Sequence, residues 1–393
     1  MRIGIDCLYT SPNYAGGVNT YTFGLLNGFA EQKFDHQFVI FTNSGNKELF
    51  AKYEKYPNFK VIYLHHQPSV FTRGILAAAQ YVGSISLWEK LTNITLSKFT
   101  AEVNQHCDVL YCPNTVLSTY NIKVPTILSM HDIQQFHYPE FFTKRELMWR
   151  HVNFGASSRH VSYLQASTQF IKDDLLAHFS NLEAKNIVVI NEGVEIETFT
   201  KNGTDTSIKS KYALPEKFIF FPAQLWKHKN HITVLKALHI LANQGIEIPL
   251  VMTGAKFSAH EEIMKYIEDN KMSYVHYLGK VSFPELIQLY HNAWFFITAV
   301  LYESSSLPAL ESAAAGLPVI ASRTPPNVEM NQKLAMNLFE PQNAQELADL
   351  LKNIWFNDAL REEQISSNLK DVRYYSWNNV ASQYINFIEK TIR

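Results

Sequence analysis

Cysteine is scarce: Cys7, Cys107 and Cys112 are the only three in a chain of 393 residues. An odd, sparse set without metal-ligand spacing excludes a disulfide framework and a cysteine-built metal site, and implies a reduced, cytosolic protein. Net charge is nearly absent as well. Lys and Arg total 35 against 36 Asp and Glu, which argues against a nucleic-acid polymer as the main partner. No uninterrupted apolar run reaches the ~20 residues of a membrane span. Segment 71–100 comes nearest and is broken by Arg73, Glu89 and Lys90. The opening MRIGIDCLYT moves straight into a strand pattern, so no signal peptide is expected. Low-complexity tracts and short repeats are missing too. So are the GxGxxG spacing of a dinucleotide fold, the GK[ST] of a P-loop and any Asp-x-Asp metal clamp.

What is present is a length that suits two domains and a globular hydrophobic share of 46%, with 13% aromatic residues. Short β-branched and aromatic runs alternate with longer helical patterns. In the first half, strands are predicted at 2–6, 38–42, 61–64, 109–112, 126–130, 161–166 and 187–190; in the second, at 218–221, 249–254, 275–279, 295–300 and 318–322. The strands are almost continuously apolar, which implies parallel sheets covered on both faces. Between the halves lies EIETFTKNGTDTSIKSKYALPEK, polar and broken by Gly203 and Pro215, the natural linker. The expected organisation is an α/β chain with a domain over 1–195, a second over 196–372 and a terminal amphipathic helix over 373–393 that closes over either domain.

The most informative stretch is YESSSLPALESAAAGLPVIAS. It places Glu303 just beyond an apolar strand and Glu311 eight positions on, in a helix that Ser306 can cap and Gly316 can end. A helix start at the mouth of an open α/β sheet is an anion site. Carboxylates beside it suit hydroxyls, as of a sugar or ribose, rather than phosphate. Read alone, the spacing favours two solvated glutamates around a capped helix. Three further segments sit at strand ends. Gly16-Gly17 follows the first strand and lets backbone approach a ligand, or makes an ordinary turn. His131-Asp132 ends the strand TILSM, where a histidine can bond a hydroxyl or move a proton, or the two can pair to fix their loop. His137 shares that loop, but a zinc site needs further ligands and the spacing offers no third or fourth. Lys227, His228, Lys229 and His231 cluster before a helix, an anion cradle with Lys229 as the leading diphosphate contact, or a solvated basic turn.

Taken in order, Ala15-Gly16-Gly17-Val18, Met130-His131-Asp132, Asn191-Glu192-Gly193-Val194, Lys227-His228-Lys229-Asn230, Glu303 to Glu311 and the terminal Ser376-Trp377 resemble the retaining GT-B glycosyltransferases of family GT4. The resemblance spans nearly the whole chain and implies two Rossmann-like doubly wound domains facing a cleft. It implies that Glu311 holds the ribose hydroxyls, Glu303 the donor sugar and Lys229 the diphosphate. His131 would contact the sugar from the N-terminal domain, Gly16 and Gly17 would approach donor and acceptor, and backbone N–H groups around Ser305, Ser306 and Leu307 would bind phosphate. Two departures stand out. Ala223-Gln224 replaces the family's Gly-Arg, so either Lys227 substitutes for the arginine or Gln224 donates a neutral hydrogen bond. Ser304-Ser305-Ser306 replaces Gly-Phe-Gly.

The implied activity is metal-independent, cofactor-free, retaining transfer of a hexose to a glycan or lipid-linked acceptor in surface polysaccharide synthesis. The donor would be GDP-mannose or a UDP-sugar. Phe71, Ile75, Ala78, Val82, Ile85 and Trp88 recur at helical spacing and suit either a peripheral membrane contact at the inner face or a core-facing helix. A nucleotide-sugar epimerase or hydrolase of the same fold, and a non-catalytic nucleotide-sugar-binding partner subunit, are the competing readings.

Overall fold

The computed structural model describes residues 1–10, 17–66, 69–200 and 206–392. Gly16 and Gly203 therefore lie outside the described residues. The chain divides into two compact units, one of residues 1–193 with 377–393 and the other of residues 194–376.

The first domain contains β1 (Arg2–Cys7), β2 (Gln37–Asn43), β3 (Phe59–Leu64), β4 (Val109–Cys112), β5 (Thr126–Ser129), β6 (Tyr163–Ala166) and β7 (Ile187–Val189). They form one sheet in the order β3-β2-β1-β4-β5-β6-β7, with every pairing parallel. The second domain contains β8 (Ile219–Pro222), β9 (Leu250–Thr253), β10 (Val275–Tyr277), β11 (Phe295–Thr298), β12 (Val319–Ser322) and β13 (Met336–Phe339). Its order is β10-β9-β8-β11-β12-β13, again all parallel. In both sheets the strand order reverses between two neighbours, β1 and β4 in the first and β8 and β11 in the second. That reversal opens a crevice at the strands' carboxyl ends.

Twelve of these strands coincide with the apolar runs read from the sequence. β13 does not. It is an edge strand whose Asn337 interrupts the apolar pattern, and its place in the sheet comes from pairing with β12.

The second domain's strands read as continuous apolar runs because both faces are covered. Ile219, Phe221, Leu250, Met252 and Ile297 pack on one side, with Leu235 and Leu238 of the helix His231–Ala242. Phe218, Phe220, Val251, Phe296 and Val319 pack on the other, with Leu310 and Ala313. Residue parity decides the face, as the two-residue period of a strand requires.

The first domain is completed by the end of the chain. The helix Trp377–Thr391 packs on the helix Gly17–Glu31. The Trp377 indole fills the space that a Cβ on Gly24 or Gly193 would occupy, and its backbone carbonyl crowds Gly28. Glycine is required at these positions for close approach rather than for a special dihedral. Behind this contact lies a buried hydroxyl cluster. Tyr111 of β4 lies 2.7 Å from Ser129 Oγ of β5 and donates to Tyr21 at 3.0 Å. Tyr384 of the last helix joins Tyr21 and Ser129. Tyr21 also donates to Gln165 of β6, whose amide donates to the Ile190 carbonyl. Each buried polar group thus has a partner, which keeps the cluster from destabilising the core.

The apolar segment 70–95 is two helices, Val70–Val82 and Ile85–Thr95. Gly83, at φ 72°, ends the first and donates to the Ala79 and Gln80 carbonyls, while Ser84 caps the second. Phe71 and Val82 are 77% and 67% exposed, whereas Ile85 packs on Gly155 and Trp88 donates to the Tyr120 hydroxyl. Among the described residues, no helix is long and apolar enough to cross a membrane.

Candidate functional site

In the second domain, the loops leaving β8 and β11 meet at the switch point. The β8 loop carries Gln224 and then the short turn Lys227–Lys229; the β11 loop carries Glu303 and runs into the helix Leu307–Ala314. Asn230 fastens the two. It sits at φ 57°, a left-handed conformation that asparagine tolerates better than most residues. Its amide donates to the Ala299 carbonyl at 3.0 Å and the Pro341 carbonyl at 2.6 Å. Leu301 N–H adds a bond to the His228 carbonyl at 2.8 Å.

This fastening brings Lys229 and Glu303 together. Lys229 Nζ lies 3.3 Å from Glu303 Oε2, with side-chain exposures of 23% and 9%. The sequence presents them as separate motifs; the fold makes them an ion pair beside a helix N-terminus. Lys227 is exposed on the same turn. His231 is not part of this cradle, contrary to its sequence neighbourhood. It is buried and stacked on Phe221 at 4.2 Å between ring centroids. Burial, with Lys229 nearby, drives its pKa down to about 3, so the ring is neutral. The Gln224 amide oxygen accepts from Trp226 Nε1 at 3.0 Å, and Trp226 stacks on Phe257.

Ser306 stands at the N-cap of the helix Leu307–Ala314, but its side chain makes no capping bond. The reason is local. Pro308 has no N–H, and the Ala309 N–H already donates to the Ser306 carbonyl at 3.0 Å. Ser306 Oγ is left fully buried without a hydrogen-bond partner. Ser305, Ser306 and Leu307 thus form the helix start, whose first N–H groups have no partner within the helix. Gly316, at φ 70°, ends the helix as the sequence suggests.

Glu311 lies on the helix Leu307–Ala314 and accepts from the Tyr290 hydroxyl at 2.8 Å. Burial raises its pKa to about 7, and the Tyr290 hydrogen bond offsets this only in part.

In the first domain, Gly17 begins the helix Gly17–Glu31 and is exposed. His131 follows β5 and is buried at the sheet's carboxyl edge. Its Nε2 is 2.8 Å from the Pro113 carbonyl, and its Nδ1 is 3.6 Å from Glu192 Oε1. The Tyr21 ring meets it edge-on at 4.7 Å. Burial works against its charge, but Glu192, the Pro113 carbonyl and Asp132 together outweigh burial and raise the pKa. The His131–Asp132 pair weighed from sequence does not form, because each has a different partner. Asp132 Oδ1 takes Arg150 Nη1 at 2.9 Å. Glu192 and Arg150 were missed in the sequence; Glu192 sits inside the Asn191–Val194 motif, but nothing in the motif says which strand end it faces.

Comparison with known proteins adds a lineage to this geometry. Residues 204–371 match the family model described as glycosyl transferases group 1. O-antigen chain mannosyltransferase B of Escherichia coli is 22% identical over 264 residues, 66% of this chain and 69% of that protein. O-antigen chain mannosyltransferase RfbU of Salmonella typhimurium is 24% identical over 230 residues, 58% of this chain and 60% of its own length. Among solved structures, Anabaena HepE in complex with UDP and glucose superposes with a TM-score of 0.73 at 16% identity, covering 99% of this chain and all (100%) of that one.

Proposed function

We propose that the chain, whose residues 204–371 match the group 1 glycosyl transferase model and whose fold is GT-B, is a glycosyltransferase that moves a hexose from a nucleoside diphosphate sugar to a glycan or lipid-linked acceptor of a surface polysaccharide, with retention and without a metal. The observation that carries the reading is the Lys229–Glu303 pair at the switch point, beside the helix start of Ser306. A leaving diphosphate gathers negative charge as the glycosidic bond breaks. A fixed ammonium and a helix N-terminus stabilise that charge without a metal clamp. Glu303 then accepts from sugar hydroxyls, Glu311 from ribose hydroxyls, and Gln224 and Lys227 border the diphosphate. In the first domain, His131 is the candidate for a hydroxyl contact. Retention is assigned to a same-face displacement in which the departing phosphate takes the acceptor proton.

The names of the O-antigen relatives support mannose, hence GDP-mannose, as donor; the neighbour solved with UDP and glucose brings in a UDP-sugar. The exposed Val70, Phe71, Tyr81 and Val82 support a peripheral contact with the membrane that presents a lipid-linked acceptor. A thermal-shift panel of nucleoside diphosphate sugars should rank the donor, since a ligand of the native state raises the melting temperature by mass action. NMR of the product should show the donor's anomeric configuration; an inverted product overturns the mechanism. Added Mg2+ or Mn2+ should leave the rate unchanged, and protein that stays wholly in solution during liposome flotation removes the membrane contact.

Glu311 gives this reading a pH signature. Ribose hydroxyls donate to the ionised carboxylate, and Glu311 ionises only as pH rises through about 7. Affinity for the sugar nucleotide, whose doubly esterified diphosphate does not titrate here, should therefore rise about tenfold between pH 6 and pH 8 and level off above. For stability the sign is opposite. The folded state binds this proton more tightly than the unfolded state, so raising pH from the ordinary carboxyl range through about 7 removes stability. Calorimetric titration checks the binding effect: Glu311→Gln should flatten the profile, and a flat wild-type profile removes the ribose assignment.

A further inference from the structure

The loop that follows His131 carries a second constellation that the transfer chemistry does not use. His137 follows the short turn Gln134–Phe136, while Asp174 and His178 lie four apart on one face of the helix Gln169–His178. The fold brings His137 to Asp174 across 37 positions of sequence. His137 Nε2 is 2.9 and 2.8 Å from the two Asp174 carboxylate oxygens. His178 Nδ1 is 3.2 Å from Asp174 Oδ1 and 2.9 Å from the Asp174 carbonyl. One ligand atom from each residue falls within 4.8 Å of the others.

We propose that His137, Asp174 and His178 form a binding site for a divalent transition metal of the zinc class. The donor set is two imidazoles and a carboxylate, which suits Zn2+ rather than Mg2+ or Ca2+. In a tetrahedral site with bonds of about 2.0–2.1 Å, neighbouring ligand atoms stand about 3.3–3.5 Å apart. The two His–Asp separations open to that spacing with shifts of a few tenths of an ångström, and the ligand atoms of the two histidines lie within 4.8 Å of each other. Burial is graded in the sense a metal needs. The Asp174 side chain is 6% exposed at the floor, while His137 and His178 are 31% and 28% exposed at the rim, leaving the fourth position to water. A cation there also sits against a buried carboxylate, the group in this cluster with the most to gain from a positive charge. Phe136 lies against the His178 ring at 4.4 Å and helps to hold its orientation. The metal would tie the loop carrying His131 and Asp132 to the helix Gln169–His178. It takes no part in bond breaking, and none of its ligands belongs to the donor site.

The test is made on chelator-treated full-length protein, titrated with Zn2+ alone and followed by thermal shift. At about 100 times Kd the melting temperature should rise by about 5–10 °C, and Mg2+ should not reproduce the rise. Co2+ should give the visible d–d absorption of a four-coordinate site at one equivalent, a readout that needs no variant. His178→Ala and His137→Gln should each weaken Zn2+ binding by about 100-fold or more. A wild-type protein with neither a saturable shift nor the Co2+ absorption overturns the proposal and leaves a hydrogen-bonded latch. So does a His178→Ala variant that responds as the wild type does, since the chain has 15 histidines and the metal would then sit elsewhere.

Discussion

Replacing Lys229 with alanine should lower kcat/KM by about 10²–10³, the usual effect of removing one fixed donor from a site of developing negative charge. The ammonium lies 3.3 Å from Glu303, which is 9% exposed, so the substitution does two things. It removes the positive charge that the proposed function assigns to the diphosphate, and it takes the ammonium away from a buried carboxylate at the proposed anion site. Nucleoside diphosphate affinity should fall together with turnover. Adding Glu303→Gln in the same protein should restore part of the binding, because the repulsion is relieved, but not the transfer, because the cation is still missing. Steady-state kinetics and a binding titration on the single and double variants separate these effects. Full activity in Lys229→Ala would mean that the exposed Lys227, or no lysine, faces the leaving group.

The largest loss of stability is expected from Trp377→Ala. The indole is 4% exposed and lies in the first domain's core with Tyr21, Leu25 and Tyr384. Gly24 and Gly193 have no side chains to fill the space it would leave. A buried tryptophan truncated without collapse of the site costs about 3–5 kcal/mol. For a domain of this size that is about 6–20 °C in Tm. Two domains need not melt as one transition, so scanning calorimetry is the measurement: the first domain's transition should move and the second domain's should not. Gly24→Val attacks the same contact from the other side, by overpacking, and should cost about 1–3 kcal/mol. An unchanged melting profile for Trp377→Ala would mean that the indole is not seated on these glycines.

The strands that flank both switch points were legible because they are buried on two faces and therefore read as unbroken apolar runs. β13 was not, because an edge strand with Asn337 in its middle has no such signature; β12 decides where it pairs. The site follows the same division. Lys229, Glu303 and Glu311 were visible as charges at strand and helix ends, where chemistry restricts what a charge is for. Their partners were not visible. Nothing local links Glu303 to Lys229, 74 positions away, or His131 to Glu192. Ser306 failed as a cap through its immediate neighbours, and Pro308 was the available clue. His231 looked like a cation by its neighbourhood, but only its place against Phe221 shows it to be neutral. His137 lacked ligands in sequence because the second and third come from a helix whose i, i+4 pair is unremarkable alone.

The helix Trp377–Thr391 belongs to the first domain's core, although it follows the whole of the second domain in the chain. During synthesis the ribosome therefore releases a first domain that lacks one of its own walls. Residues 194–376 take about 10–40 s to emerge at ~5–20 residues per second. Through that interval the apolar seat around Gly24 and Gly28 waits uncovered, while the second domain, which is continuous in sequence, is free to fold as soon as it emerges. A fragment cut after Gly193 should for the same reason be aggregation-prone, and a separately supplied peptide spanning Trp377 to Thr391 should rescue it.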